Sequence, residues 1–325
     1  MRSGSRHRFC ASPGAIIPFA MNRLKPHLAL LLCNSIWALD FPFYNLVLPR
    51  YVHPLALVSA SLVVTALISL VPLLWERAEK VELADMRKFF AAALLMGVMR
   101  KSFLMFGLAH TSPIDGSIID TVVPLLVLVL SVALGIDRFT RLKIAGLILG
   151  MAGAVAVVLT GASSGHARSQ FWGNVLILLC AAVSAVYMVR FKPLVAKYRV
   201  TTVLRWIYCI AAVMMLPFGL KEIVNTDYAR IGSDPRIVWA LLFVLVMPTY
   251  FPNLLLNYAL KSVQPTVTSI YTYLQPVLAI AVSVAMGLDR LHADTLLFAA
   301  VIFVGVGMVL RSYRSHPAPP APAGH

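Results

Sequence analysis

Two adjacent basic residues, Arg100 and Lys101, stand inside a long apolar stretch of this 325-residue sequence. If residues 89–109 form one membrane-spanning helix, the pair lies about 11 residues, or ~16 Å, from its start. A charge at that depth costs about 3 kcal/mol on insertion scales, so the two cations must face a water-filled cavity, an anionic partner, or both. Two interpretations stay open: an internal ion pair with Asp120 or Asp40, and a binding site for an anion or carboxylate.

Further polar residues follow helical spacing in the neighbouring apolar stretches. Ser117, Asp120 and Thr121 share one helix face, with Pro124 one turn further on. Hydroxyl groups on one face are typical of helix packing, whereas the carboxylate of Asp120, like that of Asp40, needs a cation or a proton. Aromatic and amide residues at similar spacing are the remaining candidates for contact with a solute: Trp37, Tyr44, Tyr187, Asn253, Asn257 and Tyr273.

Prolines also occur inside these stretches. A proline removes one backbone donor and frees a carbonyl, so it can kink or interrupt a helix beside a cavity. We expect helix kinks or gating positions at Pro124, Pro276, Pro248 and Pro252.

The elements that position all these residues are predicted to be membrane-spanning helices. The composition, 60% hydrophobic and 13% charged, is outside the range of soluble globular proteins. The apolar runs are continuous and about 20 residues long, the length of a helix that crosses a bilayer. The expected fold is an all-α integral membrane protein with ten spans, at 26–48, 52–75, 89–109, 113–135, 141–161, 171–190, 201–220, 237–258, 264–287 and 294–312.

An internal repeat divides these spans into two sets of five. The stretch Pro113–Arg138 recurs 152 residues later as Pro265–Arg290, with 11 of 26 positions identical. Matched Pro, Ser, Gly and Asp-Arg at one offset indicate duplication rather than shared composition. The predicted units are a basic, disordered leader at 1–25, two five-helix repeats at 26–161 and 171–312, and a disordered Pro/Ala-rich tail at 313–325. Whether Met1 or Met21 starts the chain stays open.

The basic residues predict how the repeats are oriented. Of the 28 Lys and Arg, 19 fall on the side of the N-terminus and six on the other, and three lie within or beside spans. By the positive-inside rule both termini are cytoplasmic, and five spans per unit then make the second repeat inverted. Inverted repeats are typical of secondary transporters, which bind solute near the midplane between the repeats.

The repeat suggests different roles for the two cations. Neighbouring helix positions point about 100° apart, so we expect only one cation to contact solute. The offset of 152 residues pairs Lys101 with Asn253, so Lys101 is assigned to the solute. Arg100, whose planar fork fits a carboxylate, is assigned to an ion pair with Asp120.

Trp37 occurs early in the first predicted span, and several short motifs recur at corresponding places in the chain. They are the stretches 106–109 and 258–260 before each repeated segment, the prolines Pro124 and Pro276, and the closing pairs Asp137-Arg138 and Asp289-Arg290. In these features residues 22–312 resemble the EamA-type, ten-span branch of the drug/metabolite transporter superfamily. Members of the family usually have Leu-Gly-Glu-Arg at the closing pair. In this sequence the glycine is displaced and Asp replaces Glu. The resemblance implies movement of small metabolites or amino acids through a central cavity lined by both halves.

We therefore predict a secondary transporter in the bacterial inner membrane, working by alternating access on a small polar or amphipathic solute. An anionic or zwitterionic metabolite, such as an amino acid, fits the buried cations. The expected partners are this solute, the lipid bilayer and protons. The net charge is +15, but the basic residues lie in short connections between the apolar runs. A nucleic-acid partner is therefore not expected. Direction, coupling and oligomeric state stay open.

Two other classes were weighed against transport: a membrane-embedded enzyme, and a receptor or scaffold that does not transport. The sequence has no HExxH or GxSxG motif, and its histidines lie in tails or near span ends. No P-loop occurs, which excludes intrinsic ATP drive. We expect neither cofactor nor metal, because no metal-binding spacing relates the four cysteines: Cys10, Cys33, Cys180 and Cys209.

Overall fold

A computed structural model of the chain describes residues 16–160, 167–288 and 293–315, and their regular elements are all helical. Two short connecting helices occupy Lys192–Lys197 and Tyr228–Gly232. The all-α prediction is confirmed. The ten long helical segments are α1 Ile16–Val47, α2 Pro54–Leu74, α3 Leu83–Leu108, α4 Pro113–Ala133, α5 Arg141–Thr160, α6 Ala167–Arg190, α7 Val200–Val224, α8 Pro235–Leu260, α9 Pro265–Ala285 and α10 Ala293–Ser315.

Eight of these segments are long and apolar enough to cross a bilayer. They are the Leu24–Val47 part of α1, together with α2, α3, α4, α6, α7, α8 and α9. In α10 the apolar stretch is shorter, Leu296–Val309. A multi-pass membrane protein is thereby confirmed, and a count of ten spans stays a prediction.

Two helices begin earlier than predicted. α1 begins at Ile16, inside the segment expected to be a disordered leader; Pro18 falls in its first turn, where backbone N–H groups have no helical partner and proline is tolerated. α3 begins at Leu83 rather than 89, because its first turn is polar and escapes a search for apolar runs. The rest of the leader, the closing pair at 289–290 and the tail from 316 lie outside the described residues.

Helix packing follows the repeat. α2 packs against α7, and α5 packs against α10. α1 packs against α8 and α9, while α6 packs against α3 and α4. Since each helix of the first unit corresponds to the one five places later, every one of these contacts has a repeat-related partner or is its own partner. The two units therefore interlock about a pseudo-twofold relation.

The same relation appears in the backbone at the ends of α4 and α9. Gly135 and Gly287, 152 residues apart, have φ of +70° and +68°, a conformation that glycine adopts without steric cost. In each case the next N–H reaches back to a serine carbonyl, Ile136 to Ser131 at 2.8 Å and Leu288 to the corresponding serine at 3.0 Å. Both helices thus end in the same glycine cap, which gives the displaced glycine of the closing motif a local structural role.

Glycines bring α5 and α10 into close contact. A Cβ at Gly305 would lie 2.5 Å from the Gly150 nitrogen and 2.6 Å from the Gly146 carbonyl oxygen. Small residues of this kind let membrane helices approach closely. Gly307 has nothing within 4 Å of the corresponding position, so it takes no part in this contact.

Connections predicted to share one side of the membrane meet at one end of the molecule. Lys197, after α6, lies 2.7 Å from Asp85 of α3, and Lys261, after α8, donates to the Tyr198 carbonyl at 2.6 Å. The hydrogen bonds to Asp85 and Glu82 raise the pKa of Lys197 above its usual range. We call this the Lys197 end of the molecule.

The other predicted set of connections meets at the opposite end. Arg230 lies over the Tyr51 ring, 5.1 Å from its centroid. Asn45 donates to the Thr111 carbonyl at 3.2 Å. We call this the Tyr51 end. The connections found at each end are those predicted to share one side of the membrane.

Candidate functional site

Two prolines of α8 fix its contact with α1. Each leaves the carbonyl four residues earlier without its helical donor. The carbonyl freed by Pro252 is that of Pro248, and it accepts from Trp37 Nε1 at 3.1 Å. The carbonyl freed by Pro248 is that of Val244, which the Tyr44 hydroxyl approaches to 3.5 Å. α8 runs on through both prolines, so their observed effect is to offer two acceptors to α1.

Proline has a different effect in α4 and α9. α4 is interrupted by a turn at residues 121–122, just before Pro124. α9 is interrupted at the corresponding place by a 3₁₀ turn, Tyr271–Tyr273, just before Pro276. The last residue before the first interruption is Asp120, so a buried carboxylate lies where the helix is broken.

A π-helical segment, Ala93–Met99, directly precedes Arg100 in α3. Such segments carry an extra residue in the turn and are frequent at functional sites. Gly97 permits it to lie against α7, since a Cβ at this position would overlap the Ala211 methyl group. The sequence interpretation treated α3 as a regular helix, and a lone glycine in an apolar run was too weak a signal to suggest otherwise.

Arg100 is buried between α1 and α6. Its Nε donates to the Ser184 hydroxyl at 2.9 Å, and its guanidinium carbon lies 4.8 Å from the centre of the Trp37 ring, within the range of a cation–π contact. Its two terminal nitrogens make no hydrogen bond within the described part of the chain. The half of the guanidinium that recognises carboxylates is therefore unoccupied.

Asp120 lies on the same small cavity as Arg100. The cavity wall is apolar apart from Trp37, Arg100, Asp120, Ser184, Tyr187 and Thr272. The space open to a water centre is about 10 Å³, near the minimum for one water molecule. Asp120 Oδ1 is buried with no hydrogen-bond partner among the described residues. This conformation is closed around an arginine and a carboxylate.

The predicted ion pair between Arg100 and Asp120 is absent: in the part of the chain that the structure describes, no carboxylate oxygen lies within 4.0 Å of the Arg100 nitrogens. Arg100 lies on the cavity wall, and Lys101 does not. An offset between repeats does not fix the direction in which each side chain points.

Lys101 joins three helices next to the cavity. Its Nζ donates to the Tyr44 hydroxyl at 2.6 Å and to Thr249 Oγ1 at 2.5 Å. Tyr208 of α7 donates to the Thr249 carbonyl at 3.3 Å. Thr249 and Tyr208 were missed in the sequence interpretation, although Thr249 stands between the two prolines of α8.

A second polar contact joins α6 and α8 on the side of the Lys197 end. The Tyr187 hydroxyl donates to Asn257 Oδ1 at 2.7 Å. Asn257 Nδ2 donates to the Asn253 carbonyl at 2.7 Å, while Asn253 Oδ1 is buried with no partner among the described side chains and backbone. Tyr187 therefore borders the cavity and is hydrogen-bonded to one of the predicted amides, Asn257.

The structure places the other predicted residues as follows. Asp40 is buried, and its Oδ1 has no hydrogen-bond partner within the described ranges. Tyr273 packs against Phe303 of α10 with ring centres 5.8 Å apart, so its contact is away from Lys101. The hydroxyls of Ser117 and Thr121 donate to their own backbone three residues earlier, at 2.8 and 2.5 Å. These hydroxyls serve the helix itself.

Among the described residues, no three His, Cys, Asp or Glu side chains are grouped so that they could hold a metal ion.

Known proteins resemble this chain along most of its length. It is 22% identical over 289 residues to an "Uncharacterized transporter" of Archaeoglobus fulgidus, covering 89% of this chain and 99% of that one. It is also 22% identical to the "Uncharacterized transporter YcxC" of Bacillus subtilis, covering 86% and 91%. A solved crystal structure matches with a TM-score of 0.62 at 17% identity, over 91% of this chain. That likeness shows the shared fold.

The EamA-like transporter family matches both halves separately, at residues 24–159 and 171–311. The two ranges together cover most of the chain. This protein belongs to the EamA-like transporter family.

Proposed function

We propose that this transporter carries a small zwitterionic solute, such as an amino acid, through the cavity between its two repeats. The observation that carries the proposal is that two buried groups of opposite charge line the same cavity and neither has a charged partner. Arg100 offers two free guanidinium nitrogens, and Asp120 offers a carboxylate oxygen without a partner. A solute with a carboxylate and an ammonium group satisfies both at once.

Burial strengthens this argument. Leaving a buried charged group without its partner is costly, and here both signs of charge are present without an ion pair between them. A purely anionic solute would satisfy Arg100 and leave Asp120 unmet unless it carries a proton. The Trp37 ring and the apolar walls provide a surface for the rest of the solute.

The cavity of about 10 Å³ is too small for an amino acid, so the solute must enter another conformation. Two polar contacts border the closed cavity along the helices. Tyr44 is about two turns nearer the Tyr51 end than Trp37, and Tyr187 is about one turn nearer the Lys197 end than Ser184. We infer that the Lys101–Tyr44 and Tyr187–Asn257 contacts open in turn, which is alternating access.

Lys101 has a closing role in this proposal, in place of the solute contact first assigned to it. It is held by two hydroxyls from α1 and α8 and does not line the cavity. Asp120 is the candidate for exchanging a proton during the cycle, since its carboxylate must change partner when solute leaves.

Orientation follows from the charge distribution. We propose that the Lys197 end faces the cytoplasm of a bacterial inner membrane, with both termini on that side. Single cysteines at Ala78 and Ser233 in a cysteine-free chain test this: an impermeant reagent outside whole cells should label 233 and spare 78. Labelling of 78 alone would reverse the orientation, and labelling of both would break the alternation of connections.

Thermal unfolding of the purified protein with matched solutes tests the binding chemistry. Each candidate amino acid is compared with its N-acetyl form, which lacks the ammonium group, and its amide, which lacks the carboxylate. A solute at 100 times its Kd stabilises by about 2.7 kcal/mol. We expect only the zwitterion to raise the melting temperature. An equal rise with the N-acetyl form would remove the role of Asp120, and an equal rise with the amide would remove that of Arg100.

A further inference from the structure

A second pocket, separate from the transport cavity, lies at the Lys197 end between the start of α3 and the end of α6. Its volume is about 440 Å³, within the range of small-molecule sites. Its charged lining is one acid and four bases: Asp85, Arg87, Lys88, Arg190 and Lys197. The pocket therefore has a strong excess of positive charge.

Two of the four basic residues already form ion pairs with Asp85. Lys88 lies 2.6 Å from Asp85 Oδ1, and Lys197 lies 2.7 Å from Asp85 Oδ2. The side chains of Arg87 and Arg190 are exposed and make no hydrogen bond or ion pair with any described residue. Two arginines that share a pocket without a carboxylate to pair with are suited to bind a phosphate group.

The outer side of Arg87 is apolar. Leu83 and Phe90, about one turn away on either side along α3, are 86% and 51% exposed. Together with Arg87 they border a second groove of about 710 Å³. An exposed leucine and phenylalanine beside an arginine near the end of a membrane helix fit the boundary between acyl chains and headgroups, where arginine extends to the polar layer.

We propose that this pocket binds the phosphate headgroup of an anionic lipid, with an acyl chain along Leu83 and Phe90. Free phosphate esters share the headgroup chemistry, but they gain nothing from the apolar groove. Arg87 belongs to both pockets, and this continuity favours a lipid. Basic pockets at the cytoplasmic side of membrane proteins commonly hold such headgroups.

Titration in neutral detergent tests the proposal, with thermal unfolding as the readout. The probes are phosphatidylglycerol, phosphatidylcholine and water-soluble glycerol 3-phosphate. The test variant is Arg87→Gln/Arg190→Gln. The matched control, Arg77→Gln/Lys80→Gln, removes two exposed charges from the connection between α2 and α3, outside the pocket. Each variant is first measured without lipid, so that a loss of folding is seen separately.

We expect phosphatidylglycerol to stabilise the wild-type protein and the control alike. In the test variant its Kd should rise by about 10- to 30-fold, since both arginines that contact the phosphate group in the pocket are lost. If the test variant binds phosphatidylglycerol like the control, or phosphatidylcholine binds equally well, the site is overturned. If glycerol 3-phosphate binds as tightly as the lipid, the assignment to a lipid is overturned.

Discussion

At the scale of single residues, the central region separates two neighbouring cations into different surroundings. Arg100 lies on the cavity with its terminal nitrogens free, whereas Lys101 is enclosed by hydroxyls of Tyr44 and Thr249. Adjacent helix positions point in different directions, so one of two neighbouring residues can face the solute while the other contacts a neighbouring helix.

Arg100→Gln and Lys101→Gln should therefore have different effects on purified protein. Arg100→Gln removes a charge-assisted contact worth about 1.5–3 kcal/mol, so solute binding should weaken by roughly 10-fold or more. Lys101→Gln should weaken binding less and lower the melting temperature more, because the shorter and neutral side chain loses the charge-assisted hydrogen bonds to two buried hydroxyls. Calorimetric titration and thermal unfolding of both variants check this. The reverse pattern would return Lys101 to the solute site.

Asp120→Asn tests proton exchange at the carboxylate. The amide keeps the shape of the side chain but takes up no proton, so transport by this variant should no longer depend on a pH gradient. Uptake into proteoliposomes at equal and unequal pH, with a melting temperature to confirm folding, measures it. An unchanged response to the gradient would leave Asp120 as a solute contact without a role in coupling.

Several of these residues could be predicted from the sequence, because a polar group in an apolar span is costly and must have a reason. Arg100, Asp120, Trp37 and Tyr187 were predicted on this ground, and they share one cavity. Thr249 was not, because its hydroxyl resembles any other helix hydroxyl and becomes distinctive only through its contact with Lys101. Pairing depends on how far each helix is rotated, and spacing alone does not fix that rotation.

At the scale of elements, α1 is docked on α8 through carbonyls that prolines leave free. Trp37→Phe removes the donor to the Pro248 carbonyl and should destabilise the protein by about 1 kcal/mol. In a Pro252→Ala background, the new N–H at 252 can serve that carbonyl, so Trp37→Phe should cost less. Thermal unfolding of the four proteins in this cycle gives the coupling.

Pro248→Ala is the matched control background. Its new N–H would serve the Val244 carbonyl instead, so it should leave the cost of Trp37→Phe unchanged. If both backgrounds relieve the cost equally, the Trp37 hydrogen bond is not what docks α1 on α8.

The contact of α5 with α10 offers a second test at this scale. Gly305→Ala places a methyl within 2.6 Å of α5 backbone atoms and should destabilise by about 1–3 kcal/mol through overpacking. Gly307→Ala, on the same helix with nothing within 4 Å, should be neutral or slightly stabilising. Denaturant unfolding in detergent compares the two. Equal losses would show that helix propensity, not close packing, sets the result.

The elements were the most predictable level of this protein. Span centres follow from apolar length, and the repeat follows from matched Pro, Ser and Gly residues, so most predicted bounds agree with the structure within a few residues. The polar first turn of α3 and the early start of α1 were missed because hydropathy identifies only the part of a helix that lies in lipid. Hydropathy also does not predict whether a proline interrupts its helix: α9 is interrupted before Pro276, whereas α8 continues through both of its prolines.

At the scale of the whole molecule, two inverted five-helix units interlock around a cavity that is closed in this conformation. Connections from both units meet at each end, joined at the Lys197 end by the ion pair of Lys197 with Asp85. The proposed alternating access requires contacts at one end to break while those at the other end are kept. The repeat-related contacts would allow two such states to form from one set of helices.

Counterflow in proteoliposomes tests the central claim most directly. Vesicles containing the purified protein are loaded with an unlabelled zwitterionic amino acid found by thermal unfolding, and the labelled amino acid is added outside. We expect transient accumulation of label with the wild-type protein, strong loss with Arg100→Gln, and no competition by the N-acetyl or amide forms. Wild-type rates for Arg100→Gln, or equal competition by the amide, would contradict the assignment of this cavity to a zwitterion.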